Sequence, residues 1–145
     1  MKCVIQRVRE TSLSVDGKLV SEIPFGLAVY LGVKVGDGEE QAEKAAKKIA
    51  ALRIFEDEHG KMNLSVRDVG GEILLISQFT LLGDCTHGNR PEFTKAERPE
   101  KAAAIYEAVA EKLRGYSVNV KTGVFGADMK IRQFNDGPVT IIYEI

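Results

Sequence analysis

Apolar and β-branched residues with partial alternation dominate the first 33 positions and predict short strands. The predicted strands are residues 2–8, 12–15, 20–23 and 26–33. Asp16-Gly17, a dipeptide typical of hairpin turns, separates the second strand from the third. Gly36 to Gly38 end the fourth, so the chain is predicted to open with β-structure.

The spacing of apolar residues then becomes helical in two places. The first stripe comprises Ala42, Ala45, Ala46, Ile49 and Leu52. Acidic residues precede basic ones along this segment, as the helix dipole favours. A second helix is predicted from about Pro99 to Arg114, because proline suits the first helical position and Gly115 suits the end. Arg98 is a poor N-cap, which leaves the start of this helix open.

Further strands are predicted between and after the helices. Residues 73–79 are apolar until Ser77-Gln78, a pattern typical of a strand covered on both faces. Three more candidates are residues 117–121, 129–134 and 139–145, with residues 135–138 joining the last two.

Roughly seven strands and two helices, without a repeat or a linker, predict one α/β domain over residues 1–145. Two helices cover only one side of so large a sheet. Strands covered on both faces therefore indicate a second β layer. The predicted fold is a three-layer α/β/β domain of mixed sheets, with two main helices on one side.

Composition restricts the partners of the chain. The net charge of −1 does not suit a sequence-independent nucleic-acid binder. Contact with RNA would therefore need a local basic patch, or binding mainly to one end of the RNA. Two cysteines without metal spacing are expected to be free thiols, although one disulfide is formally possible. A charged N-terminal segment and short apolar runs predict a cytosolic protein; a removed organellar peptide stays open.

Two motifs carry a family resemblance. One is Ser77-Gln78-Phe79-Thr80-Leu81, and the other is Asn135-Asp136-Gly137-Pro138-Val139-Thr140, preceded by Phe125 to Met129. Residues 4–8, 16–17, 26–27, 52–55, 61–65 and 88–93 extend the match. In this order and at these spacings, the chain resembles the D-aminoacyl-tRNA deacylase family over nearly its whole length. Residues 86–93 depart somewhat from the more basic family pattern, which leaves tRNA contacts from this loop open.

This resemblance implies a homodimeric esterase with the three-layer fold. Its expected reaction is hydrolysis of the ester between a D-amino acid, or glycine, and the terminal adenosine of tRNA, with release of the free amino acid. The expected partners are the acylated 3′ end of tRNA and a second copy of the chain. Neither a membrane, a metal nor an organic cofactor is implied.

The resemblance also implies that the first motif binds the ester end of the substrate. Ser77, Gln78, Phe79 and Thr80 are implied to hold the carbonyl and the adenosine. An aminoacyl ester is already activated, so positioning and an oxyanion hole could suffice for hydrolysis. Whether the Thr80 hydroxyl attacks, orients water or only binds stays open, and the vicinal ribose hydroxyl could assist.

The resemblance implies that the second motif selects the chirality of the amino acid. D and L esters carry the same groups, so the site must fix the ammonium and the carbonyl and leave room at Cα on one side only. The resemblance implies a cis peptide at Gly137-Pro138 that reaches into the partner's pocket, where its carbonyls bind the ammonium and collide with an L side chain. It further implies that Arg7 braces this loop and that Phe125 and Met129 line or support the pocket.

Each motif also has a plainer interpretation. Gly137-Pro138 alone could be a turn, Ser77 to Thr80 a strand end, and Arg7 an ion-paired surface residue. The last two candidates would by default be core residues: Phe125 and Met129. Basic residues of the first helix, Lys44, Lys47 and Lys48, suit a solvated face or contact with RNA phosphates.

Two other functions remain open at this level. One is a homodimeric binding module that has kept the fold without catalysis. The other is a thiol-dependent hydrolase, because Cys85 and His87 are two residues apart and could contact each other, although no third orienting group is evident.

Overall fold

One long hairpin, rather than four short strands, forms the first 32 residues. Strand β1 (Lys2–Val15) pairs antiparallel with β2 (Lys18–Gly32) over its whole length. Asp16 and Gly17 connect the two strands with positive φ angles of 49° and 74°, which suit a type I′ turn. The turn predicted from the sequence is therefore confirmed, and both strands are longer than predicted.

The computed structural model describes residues 1–145. The remaining elements are α1 (Glu39–Ala51), β3 (Phe55–Glu56), β4 (Met62–Leu64), β5 (Glu72–Ser77), a 3-10 turn (Phe79–Leu82), α2 (Pro99–Gly115), β6 (Val120–Thr122) and β7 (Met129–Glu144). Five strands form one mixed sheet in the order β6-β5-β2-β1-β7. The pairs of β5 with β2 and β6 are parallel, and the other pairs are antiparallel. A separate hairpin is formed by β3 and β4.

Two of the predicted strand breaks are bulges within continuous strands. Glu10 and Thr11 oppose only Gln133, and residues 136–139 oppose only Arg7. The long partner strands continue to pair on both sides of each bulge, so a local break in alternation does not end the strand. Two other predicted strands differ at their ends. Residue 79, predicted as strand, belongs to the 3-10 turn, and the strand predicted at 117–121 is observed at Val120–Thr122.

Two hydrophobic cores lie on opposite faces of the sheet. Helices α1 and α2 cover one face in a core that includes Ile5, Leu27 and Leu75. The opposite face has its own core, formed by Val8, Leu13, Ile23, Ala28, Leu74 and Ile76. Burial of one such aliphatic side chain stabilises the fold by roughly 1.5–3 kcal/mol. The predicted fold class is confirmed, and the second β layer comes from the outer halves of the same long strands.

Hydrogen bonds fix the outer half of the hairpin against β6. The Ser21 hydroxyl donates to the Thr122 carbonyl, and the Lys121 ammonium donates to the Glu22 carbonyl, each at 2.7 Å. Strand β7 remains at the edge of the sheet. Neither helix combines the length and the apolar composition that a membrane span needs.

Gly26 allows β2 and β5 to approach closely. Its φ of +141° is strained for any other residue, and a Cβ atom there would lie 1.9 Å from the Glu72 carbonyl oxygen. Because that oxygen is a backbone atom, the clash cannot be relieved by a rotamer change.

We expect Gly26→Ala to lower the free energy of unfolding by about 3 kcal/mol more than Gly88→Ala, measured by chemical or thermal unfolding. Gly88 is a matched control, because its φ is +148° and a Cβ atom added there would have no neighbour within 4 Å. Equal losses in the two variants would show that backbone strain, rather than the approach to Glu72, determines the cost.

Candidate active site

The site begins where the most buried strand ends. The four central residues of β5, 73–76, are fully buried, and Ser77 is half-buried. The Gln78 N–H makes a last bond to the Leu31 carbonyl at 2.8 Å, and the chain then enters the 3-10 turn. The first hydrogen bond of this turn is donated by the Leu81 N–H, so the N–H groups of Phe79 and Thr80 have no acceptor within it. Both can donate to a bound group.

A cavity of about 290 Å³ opens beside this strand end. Its lining includes Ser77, Gln78, Phe79, Tyr106, Phe125 and Met129. The structure thus brings the first motif together with the segment that precedes β7, although the two lie far apart in the sequence. The Phe79 ring is 58% exposed and packs edge-on against Phe93, with 5.1 Å between ring centroids.

The charged residues lining the cavity are both acidic: Glu97 and Asp128. Hydrogen bonds from Lys101 and then from the Arg98 N–H lower the pKa of Glu97, so its carboxylate is ionised at neutral pH. Both carboxylates are paired with lysines, Glu97 with Lys101 and Asp128 with Lys130. The lining therefore holds little net charge, and it offers no cation to a phosphate. Sequence analysis did not select Glu97, because its place beside the cavity depends on the fold rather than on a motif.

Tyr106 lies on helix α2 and was not among the predicted site residues. Its hydroxyl donates to the Leu75 carbonyl at 2.8 Å, and burial raises its pKa well above the ordinary range. The hydroxyl is therefore neutral and already committed to a backbone acceptor. Tyr106 shapes the cavity wall, and its ring centroid lies 5.9 Å from that of Phe125.

Thr80 is exposed and does not line the cavity, although it directly follows Phe79, which does. Its hydroxyl oxygen accepts a hydrogen bond from the side-chain amide of Gln78. No carboxylate or imidazole hydrogen-bonds to this hydroxyl. A threonine nucleophile needs a base within reach, so the observed contacts suit binding or orientation better than attack.

Arg7, Gly137 and Pro138 lie apart from this cavity. Residues 136–139 form the bulge of β7 opposite Arg7, and the Gly137-Pro138 peptide is cis. The buried Arg7 side chain donates from Nε to the Asp136 carbonyl at 3.2 Å and from Nη1 to the Ile54 carbonyl at 2.9 Å. Within one chain, the predicted site residues therefore form two separate groups.

Gly137 sits where a side chain does not fit. Its φ is +124°, and a Cβ atom would lie 2.9 Å from a methyl carbon of Val139 and 3.1 Å from Nη2 of Arg7. A larger residue would strain the backbone and displace the guanidinium that holds the bulge.

Cys85 and His87 are exposed in the loop between the 3-10 turn and α2, and neither side chain makes a hydrogen bond. The loop is closed by backbone pairing of Asp84 with Glu92 and by a 2.6 Å ion pair between Asp84 and Lys95. The other thiol, Cys3, is buried, which raises its pKa to about 12. Neither thiol has the activating partners of a catalytic nucleophile.

Comparisons with known proteins cover the whole chain. A sequence model of the family described as D-Tyr-tRNA(Tyr) deacylase matches residues 4–144. A protein named D-aminoacyl-tRNA deacylase from Lactobacillus delbrueckii subsp. bulgaricus is 52% identical over 145 residues, covering 100% of both chains. One of the same name from Anoxybacillus flavithermus is 55% identical over 144 residues, covering 99% of both.

Two solved structures are similar in fold. The first, named c-Myc DNA Unwinding Element Binding Protein, has a TM-score of 0.92 and 43% identity, covering 100% of this chain and 99% of that one. The second is described as a probable eukaryotic D-amino acid tRNA deacylase and has a TM-score of 0.83, covering 99% and 98%. Its 19% identity supports the shared fold alone.

Proposed function

We propose that this chain, which belongs to the D-Tyr-tRNA(Tyr) deacylase family, hydrolyses the ester bond of D-aminoacyl-tRNA. Relatives that are more than half identical over their full length carry the corresponding name. The observation that carries the proposal is the cavity at the end of β5, where the first motif meets Phe125 and Met129. Because tRNA is charged in the cytoplasm, we also propose that location.

In the proposed reaction, the ester carbonyl lies against the free N–H groups of Phe79 and Thr80. Water adds to the carbonyl carbon, and the negative oxygen that forms is stabilised by about 3–4 kcal/mol per well-placed donor. The bond to the ribose oxygen then breaks, and that oxygen takes up a proton. Free D-amino acid and tRNA leave the site.

Side chains around the cavity suit the two ends of this substrate. The exposed Phe79 ring, fixed from one side by Phe93, offers an aromatic surface for the terminal adenine. No cation lines the cavity, so the ammonium of the amino acid meets no like charge in its lining. We assign the Thr80 hydroxyl to positioning rather than attack, because only the Gln78 amide contacts it.

We further propose that a second copy of the chain completes the site. The Gly137-Pro138 bulge lies outside the cavity of its own chain, so a partner has to supply it. Strand β7 has a free edge, and its Phe134 and Ile142 side chains are 63% and 65% exposed, as is typical of an interface. In the dimer, bulge carbonyls would bind the ammonium and collide with an L side chain. Glycine has no side chain to collide, so glycyl-tRNA would also be a substrate.

A nucleic-acid-binding module without catalysis is the second candidate. The 43% identical solved structure is named for binding a DNA element, and Thr80 of this chain has no activating base. Retention of charged tRNA without release of the amino acid would favour this candidate over the deacylase.

We expect Gly137→Val to reduce hydrolysis of D-Tyr-tRNA about a hundredfold, because the new side chain displaces Arg7 and misplaces the bulge. The parent protein should hydrolyse D-Tyr-tRNA and leave L-Tyr-tRNA intact. Gly60→Val is the control, since Gly60 also has a positive φ, +71°, but no neighbour within 4 Å. Parent-like D-ester hydrolysis by a folded Gly137→Val protein would contradict the role of the bulge.

We expect Thr80→Ala to lower kcat for D-Tyr-tRNA only about tenfold, the size of one lost hydrogen bond, and Thr80→Ser to restore it. Single-turnover kinetics measure both. A loss of several orders of magnitude, or an acyl-enzyme that accumulates in the serine variant, would instead identify residue 80 as the nucleophile.

Cys85→Ala should leave the deacylation rate unchanged, because Cys85 is exposed and no side chain activates it. The same assay on D-Tyr-tRNA decides between the two kinds of hydrolase. Loss of deacylation activity in Cys85→Ala would support the thiol-dependent mechanism instead.

A further inference from the structure

We propose that a basic cleft on α1 binds the phosphate backbone of the tRNA substrate. The α1 cleft, as we call it, has a volume of about 380 Å³ and is lined by Lys44, Lys47, Lys48, Ala51, Leu52, Arg53 and Tyr143. This inference rests on the proposed function, because it assigns a place to the part of the substrate that the cavity does not hold.

The charge of the α1 cleft contrasts with that of the rest of the chain. All four charged residues in its lining are cations, whereas the whole chain has a net charge of −1. The cavity at the end of β5 has no cationic lining residue and two acidic ones. The ester site therefore offers no cation to a phosphate, and the tRNA backbone needs a separate region of positive charge.

Helical spacing places the three lysines on one exposed face. Lys44, Lys47 and Lys48 follow the i, i+3, i+4 pattern, so their side chains project from the same side of α1. Lys44 forms an exposed ion pair with Glu40 at 2.6 Å, which contributes little and can be exchanged for a phosphate. Lys47 and Lys48 form no ion pair, so their charges are available to a ligand.

Two contacts hold Lys48 and Arg53 at the edge of the cleft. The Lys48 ammonium lies 5.7 Å from the centroid of the Tyr143 ring, a cation–π arrangement that limits its motion. The Arg53 Nε donates to the Asn63 carbonyl at 2.7 Å, which leaves its two terminal nitrogens without a hydrogen bond. A fork of guanidinium nitrogens fits the two oxygens of a phosphate.

The cleft is connected to the Gly137-Pro138 bulge through Arg7. Ile54 follows Arg53 directly, and its carbonyl accepts a hydrogen bond from Arg7, whose Nε holds the Asp136 carbonyl. In the proposed dimer, the bulge enters the partner's cavity, and these contacts through Arg7 would bring the α1 cleft of the same chain toward that cavity. A tRNA esterified in one subunit would then extend across the basic cleft of the other.

The double variant Lys47→Gln/Lys48→Gln tests this inference, because glutamine keeps much of the side-chain length and removes the charge. We expect its KM for D-Tyr-tRNA to rise about tenfold with unchanged kcat, and the salt dependence of tRNA binding to fall by about one to two units of slope. Hydrolysis of the D-tyrosyl ester of adenosine, which has no phosphate, should stay at the parent rate. Lys18→Glu, at the exposed hairpin tip, is the matched control, because it also lowers the net charge by two.

The outcomes separate this inference from the proposed function. An unchanged KM and salt slope in the double variant would overturn the role of the cleft, as would an equal loss on tRNA and on the adenosine ester. If the parent protein hydrolysed no D-aminoacyl ester, the deacylase proposal would fail. The affinity of parent and double variant for uncharged tRNA would still test the cleft, with weaker binding by the variant supporting it and equal binding contradicting it.

Discussion

Burial of β5 on both faces is the constraint on which the site depends. Helices cover one face and the outer half of the β1–β2 hairpin covers the other, so the strand has no freedom to shift. The strand ends at Ser77, and the Gln78 N–H makes the last bond to β2. The N–H groups of Phe79 and Thr80 then have no acceptor within the 3-10 turn. A rigid strand thus presents main-chain donors at a fixed position, which is what stabilisation of a developing oxyanion requires.

In the proposed reaction, different parts of the substrate contact three regions: the cavity, the α1 cleft and the bulge of β7. The cavity, which no cation lines, suits the ester, the α1 cleft suits phosphates, and Arg7 connects that cleft to the bulge of β7. Selection by main-chain shape needs no reactive side chain. This agrees with the absence of any base beside Thr80 and of any partner for Cys85.

The sequence predicted both helices, the Asp16-Gly17 hairpin and the layered α/β class, since apolar period and turn chemistry are local signals. It did not predict that bulges would join short segments into continuous strands. That continuity depends on pairing with a neighbouring strand that is distant in sequence, and a local pattern does not show this pairing. The family motifs indicated the candidate site residues, and five of these residues line the cavity. Nothing in the local sequence marked Glu97 and Tyr106 as site residues, because only the fold places them in the same cavity lining as Ser77.

The central claim, that two chains share each site, can be tested by mixing two inactive variants. Ala127→Trp is expected to fill the cavity, and Gly137→Val to disable the bulge. Unfolded together and refolded, the two chains should form mixed dimers with one intact site, which would restore about a quarter of the parent rate on D-Tyr-tRNA. A mixture as inactive as its components, despite dimers being formed, would contradict a site shared across subunits.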